Sequence, residues 1–250
     1  MLEACAVLVW LGLWSLLTPP TCGQDGTTPK PLTVEQIIER MTVMDRERIE
    51  SLRNYIVRRR YRVENKRFHK TAEMVVVGRY AYPGVKKFDV LAESGSGTVR
   101  KLALHRMIDT EQETSREEKR RRETQITSAN YDFQLLGTEV LDGRPSFVLR
   151  ATPKTKNPLL FRGTVWVDAE DFAIARIEGS PAKNPSFWTR KIRFTHQYQK
   201  FGPYWLPVSN HSRTDVFIFG ATETTVQYYD YRINVTAADS ASGAGERDPQ

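Results

Sequence analysis

Few residues in this chain could do covalent or metal chemistry, and they are poorly spaced for it. Its four histidines, His69, His105, His196 and His211, are scattered. His196 and His211 lie on the two arms of one long hairpin and could meet across it. A zinc site needs a third ligand, and neither HxH nor HExxH occurs. Asp168, Glu170 and Asp171 crowd one turn but lack the ligand spacing of a calcium loop, so they read as a solvated turn. No GxSxG, Walker loop or GxGxxG is present. Gly95-Ser96-Gly97 reads as a linker. The only cysteines, Cys5 and Cys22, sit near the start of the chain. No catalytic residue, metal or cofactor is assigned, and the chain is expected not to be an enzyme. An enzyme with a dispersed site is the less favoured alternative.

The informative residues are apolar and basic. There are 5 Trp, 10 Tyr and 11 Phe. Tyr55, Val57, Arg59, Tyr61 and Val63 alternate with Ile56, Arg58, Arg60 and Arg62, which gives one apolar and one basic strand face. Arg59 interrupts the apolar face. Ile192, Phe194, His196 and Tyr198 share a face further on, as do Tyr204, Leu206, Val208 and Val216, and Trp166 sits in its own alternating run. These residues read either as packed core or as the wall of a lipid-sized pocket, and the pattern alone allows both. Arg58, Arg60 and Arg62 would suit anionic lipid headgroups, an acidic partner or plain solvent. A second basic run is Lys119-Arg120-Arg121-Arg122. Nucleic acid is not expected as a partner of an exported protein.

The elements that must hold these residues follow from composition and period. The chain has 250 residues, 40% hydrophobic and 27% charged, with a net charge of +7. That excludes a polytopic membrane protein, collagen and a mostly disordered chain. Ala6–Leu17 is an apolar run too short to span a bilayer, followed at once by turn-forming residues. Small residues at Thr21 and Gly23 suit a cleavage site, so residues 1–23 are expected to be a signal peptide. Cleavage there would remove both cysteines and exclude any disulfide or thiolate site. Lipid attachment at Cys22 is the alternative, which would leave an exported, periplasmic protein membrane-associated.

Residues 24–33 read as a flexible lead-in. Thr33 with Gln36 has capping-box spacing, and Val34, Ile37, Ile38, Met41 and Met44 predict a helix over 34–52. Period-two strands follow from Tyr55, over Ala72–Tyr80 and over Lys86–Glu93. Thr98 to Glu123 predicts an inserted helix whose second half is almost wholly charged. Strands then run over Asn130–Leu141 and Arg144–Thr152 about Asp142-Gly143, over Phe161–Asp168 and Phe172–Gly179, and over Phe187–Phe201, Tyr204–Phe219 and Ala221–Val235. The tail 237–250 has the composition of disorder. The total is about ten antiparallel strands and two helices in one domain over 34–236. Two helices cannot cover both faces of so wide a flat sheet. The expected fold is therefore mainly β: a strongly curved antiparallel sheet, or half-open barrel, with helices on its concave side.

Several stretches resemble the LolA-like family of periplasmic lipoprotein carriers, outer-membrane lipoprotein-sorting proteins and RseB-like sensors. They are Asn130-Tyr131-Asp132-Phe133-Gln134-Leu135-Leu136-Gly137 running into Leu141-Asp142-Gly143-Arg144, then Phe161-Arg162-Gly163-Thr164-Val165-Trp166-Val167-Asp168 running into Ile174-Ala175-Arg176-Ile177-Glu178-Gly179, and Tyr204-Trp205-Leu206-Pro207. The resemblance implies a curved sheet with helices in its mouth, and a cavity under a helical lid that takes up the acyl chains of a lipoprotein or lipid-like ligand. Expected cavity residues are Tyr55, Val57, Arg59, Tyr61, Val76, Phe88, Trp166, Phe194, Tyr198 and Leu206. The family's carriers hold the lid with a strand arginine. Arg59 is the candidate here, and an arginine snorkelling at a sheet edge is the alternative. The RseB-like branch implies instead an envelope-stress sensor that binds an envelope protein partner. A transient contact with the membrane surface is a further expectation.

Overall fold

Turn-forming residues divide the structure where they divide the sequence. The computed structural model describes residues 31–116, 122–184, 189–217 and 220–235. The expected signal segment with Cys22, residues 24–30 of the lead-in, residues 117–121 of the inserted helix and the tail 237–250 lie outside the described residues.

Helix α1 spans Val34–Ser51. The Gln36 amide donates to Thr33 Oγ1 (3.3 Å) and the Thr33 amide to Gln36 Oε1 (3.0 Å), which satisfies two amides left free at the helix start. The helix buries Ile37, Ile38 and Met41. Ten strands follow: β1 (Asn54–Asn65), β2 (Lys70–Ala81), β3 (Val85–Gly95), β4 (Tyr131–Leu141), β5 (Arg144–Pro153), β6 (Phe161–Asp168), β7 (Ile174–Pro181), β8 (Thr189–Phe201), β9 (Tyr204–Val216) and β10 (Gly220–Ile233). The β4–β5 turn places Asp142 (φ 50°) and Gly143 (φ 79°) in the left-handed region, as a tight hairpin turn of that twist requires.

All ten strands form one antiparallel sheet in the order β3-β2-β1-β10-β9-β8-β7-β6-β5-β4. The last strand returns to pair with the first, with Tyr61 opposite Val226 in mid-sheet. The edges are then β3 and β4, which do not pair, so the sheet stays open. These two edges are consecutive in sequence. The inserted segment that joins them travels from one edge to the other, which sets the inserted helix across a face of the sheet.

The inserted helix comprises α2 (Gly97–Val99), a π-helical stretch Arg100–His105 and α3 (Arg106–Arg116). Leu104 and Ile108, one turn apart, bury themselves on Tyr61 and Val63 of β1, Ala72, Met74 and Val76 of β2, and Val226 of β10. A second cluster joins Leu52 after α1 to Tyr55, Val57, Tyr204 and Leu206. In a flat sheet, β2 and β8 would lie about 19 Å apart, four strand spacings. Tyr80 of β2 and Ile192 of β8 nonetheless line one cavity beneath the inserted helix, so the sheet is bent around it. The architecture is the expected one, an open curved antiparallel sheet with helices on its buried face.

Candidate functional site

Strand alternation turns Tyr55, Val57, Arg59, Tyr61 and Val63 to the helix-covered face and leaves Arg60 and Arg62 exposed on the other. Arg59 is 2% exposed, although β1 lies inside the sheet. The edge-snorkelling alternative is therefore overturned. Its guanidinium lies between the rings of Phe88 and Tyr228, 4.8 Å from each centroid. Its terminal nitrogen donates to Tyr61 Oη (3.2 Å) and to both carboxylate oxygens of Glu111 on α3 (3.1 and 2.9 Å). Lys86 of β3 donates to the same carboxylate at 2.7 Å. One acidic side chain thus ties the inserted helix to an interior strand and an edge strand. Burial pushes the Glu111 carboxyl up, but Lys86 and Arg59 together outweigh this and hold it below the usual glutamate range. The Lys86 amide also donates to Ser115 Oγ (3.1 Å) one turn further along α3.

Beside this tie lies a cavity of about 1280 Å³. Its walls come from the end of α1 (Ile49, Leu52), from strands (Tyr55, Tyr80, Ile192, Leu206) and from the inserted helix. Ala103, Arg106, Met107 and Thr110 follow helical spacing and form the helix's cavity face. Leu102 stands at its rim, 60% exposed. The volume exceeds the usual 300–1,000 Å³ of a small-molecule pocket. A second hollow of about 760 Å³ lies against α1, lined by Met41, Asp45, Ile177, Tyr198 and Leu206 among others. Burial pushes the Tyr198 hydroxyl there up to about 12.

The expected site residues fall into five places. Tyr55 and Leu206 line the larger cavity, and Tyr198 and Leu206 the smaller one. Val57, Tyr61 and Val76 are fully packed, and Phe88 packs against the cluster of Tyr61 and Val76. Phe194 meets Phe161 edge-on at 5.8 Å and His196 at 4.9 Å. Trp166 is on the opposite face from the buried Val165 and Val167. Its Nε1 donates to Glu139 (2.9 Å), and Arg176 stacks on its ring. Much of the larger cavity's wall is helical, whereas the sequence reading placed it wholly on strands. One signal was available: Glu111 follows Leu104 and Ile108 at helical spacing, a carboxylate on the stripe that faces the sheet.

Two other expectations change. His196 pairs in register with Asn210, and His211 with Thr195, so the two histidines point to opposite faces and cannot share a ligand. Burial lowers the pKa of His196 below the ordinary histidine range. The acidic turn is only partly solvated: Glu170 is exposed, but Asp168 is 0% exposed and bound by Arg144 (2.5 and 2.9 Å) and by the amides of Glu170 and Asp171. Arg58 and Arg62 of the basic face pair with Asp230 and Glu73. Among the described residues no cluster of three or more His, Cys, Asp or Glu could hold a metal ion. No described helix is long and apolar enough to cross a membrane.

No family model matches the chain, and no curated protein matches it. Solved structures similar to it include a DUF1329 family protein from Desulfovibrio piger, at 15% identity over 82% of this chain and 94% of that one, TM-score 0.40. Another is a putative outer membrane lipoprotein-sorting protein domain from Vibrio parahaemolyticus, at 13% identity over 83% and 97%, TM-score 0.40. A third is a LolA superfamily protein from Nitrosomonas europaea, at 12% identity over 84% and 97%, TM-score 0.35.

Proposed function

We propose that this chain is an exported, periplasmic binding or carrier protein for a lipidated protein or another acyl-bearing ligand, of the lipoprotein-sorting kind. The observation that carries this reading is the cavity of about 1280 Å³ between the bent sheet and the inserted helix. Each methylene transferred from water into such a wall contributes about 0.8 kcal/mol, so a chain of ordinary acyl length is held without any covalent step. Arg59 and Glu111 act in this reading as the tie that keeps the roof closed over the guest. Opening then requires breaking a charge-assisted pair whose arginine is fully buried, which favours the closed, loaded state until a partner intervenes.

The test is to isolate the protein gently from a bacterial envelope and identify by mass spectrometry what elutes with it, then to measure displacement of an apolar fluorescent probe by that material. Acyl-bearing molecules bound in stoichiometric amount are the expected result. Ile192 lines the cavity without being fully buried. Ile192→Trp is expected to weaken probe binding about tenfold while the melting temperature changes little, because the added ring fills space rather than overpacks the core. A wild-type protein that elutes empty and takes up no probe overturns the reading.

A further inference from the structure

We infer that the guest of the larger cavity is an anionic amphiphile, whose acidic headgroup sits against Arg106 while its acyl chain lies in the apolar wall. The inference rests on the carrier reading and narrows its ligand. Among the residues that line this cavity only Lys86, Arg106 and Glu111 are charged. Glu111 is already occupied by Lys86 and by Arg59 behind the wall. That triad carries one positive charge in excess. Arg106 adds a second, and it makes no ion pair or side-chain hydrogen bond with any described residue. It is exposed to solvent and also lines the cavity. It shares the cavity face of the inserted helix with Ala103, Met107 and Thr110.

An unpartnered guanidinium at the solvent-facing edge of an apolar hollow suits an amphiphile whose acid stays at the surface while its chain goes in. A carboxylate or phosphate ester there gains a planar, fork-shaped donor set beside a low-dielectric wall, where charge-assisted hydrogen bonds are stronger than in bulk water. A neutral diacylglyceryl or cationic headgroup would leave that guanidinium without a partner. The excess charge of the Arg59–Glu111–Lys86 triad would repel a cation further. The exposed Leu102 at the rim marks the apolar path by which the chain enters.

The experiment uses lysophosphatidylglycerol and a monoacylglycerol of the same acyl chain, each competing against an apolar fluorescent probe on the purified protein. Wild type is expected to prefer the anionic lipid about tenfold, the size of one charge-assisted hydrogen bond. The preference should shrink with added salt. Arg106→Gln should remove most of it by weakening the anionic lipid far more than the monoacylglycerol, and Arg106→Lys should restore part of it. Inorganic phosphate alone should not displace the probe. Equal binding of both lipids with no effect of Arg106→Gln, or displacement by phosphate alone, overturns this inference and leaves the carrier reading intact. Failure of both lipids to displace the probe defeats the carrier reading as well.

Discussion

Two ion networks, each built on one buried charge, Asp168 in one and Arg59 in the other, hold this molecule, and they are built for different work. At the β6–β7 turn, Asp168 takes Arg144 and two backbone amides, while Asp171 takes Lys200 of β8 (3.0 Å) and the Trp205 indole of β9 (3.0 Å). Arg48 of α1 donates to the carbonyls of Asp171 (2.9 Å) and Phe172 (3.3 Å) in the same turn. One turn thus joins the start of β5, two further strands and a helix. The Arg59–Glu111–Lys86 network instead has a single acid at its centre, on a helix flanked by a π-helical stretch. The first network is redundant and binds parts of a continuous sheet. The second is singular and binds the sheet to the one element that bridges its open edges. A fold that must stay closed in one place and open in another has this asymmetry.

The comparison breaks first, and most severely, at Asp168. Asp168→Ala removes the buried acceptor of two amides and of Arg144, whose own side chain is about a third exposed. Losing several hydrogen bonds to one buried charged acceptor costs about 3 kcal/mol, and the loss should appear in global unfolding by denaturant. Affinity for an apolar probe, measured on the remaining folded protein, should be nearly unchanged, since the larger cavity contains no residue of this turn. A variant as stable as wild type would show the turn to be as dispensable as its acidic, loop-like sequence suggests.

Glu111→Gln should act locally rather than globally. It keeps the side chain's shape and removes the charge, a loss of about 1.5–3 kcal/mol for hydrogen bonds to a charged group. Amide-exchange protection across Arg106–Arg116 should fall while that of β5–β7 is retained. The pH dependence follows from the lowered pKa of Glu111. A carboxylate whose folded pKa lies below its unfolded value stabilises the fold above the unfolded value, and that contribution vanishes as pH falls through the folded one. Protection of the inserted helix in wild type should therefore drop below the ordinary glutamate range, and the Gln variant should lack this acid step. Equal loss of protection throughout the sheet would erase the distinction between the two networks.

How much of this was legible in the sequence divides along the same line. The strands were legible, because each alternates in period two and ends at a turn whose residues accept left-handed backbone, as at Asp142-Gly143. Thr33 and Gln36 declared the helix start. Arg59 stood out because it interrupts an apolar face. Its partners were illegible: Glu111 lies far along the chain, and only the closing of β1 on β10 and the passage of the insert from edge to edge bring the two together. The acidic turn was misread for the same reason. Three acids within four residues read as solvated until Arg144, Lys200 and Trp205 arrive from elsewhere in the sheet. The lining of the larger cavity was missed on the helix because Ala103, Arg106 and Met107 form only a weak apolar stripe beside the stronger one of Leu104 and Ile108.

The smallest expected effect sharpens the comparison most finely. Gly78 of β2 lies opposite Val57 on the buried face, and its missing side chain leaves the space in which Arg59 lies flat against Phe88. A methyl group added there would stand 3.2 Å from Phe88 Cε1 and 3.4 Å from Arg59 Nε. Both neighbours are side chains, so the crowding is relieved by a shift of a few tenths of an ångström rather than by moving backbone. Gly78→Ala should cost about 1 kcal/mol or slightly more, as mild overpacking does. The displaced groups are the ones that hold Glu111, so the helix tie should loosen before the sheet does. The measurement is the exchange protection of α3 set against the denaturant midpoint. Protection lost at an unchanged midpoint places the seat of Arg59 in control of the roof. A shift of the midpoint with helix protection unaltered would mean that Gly78 serves only the packing of β2 against β1.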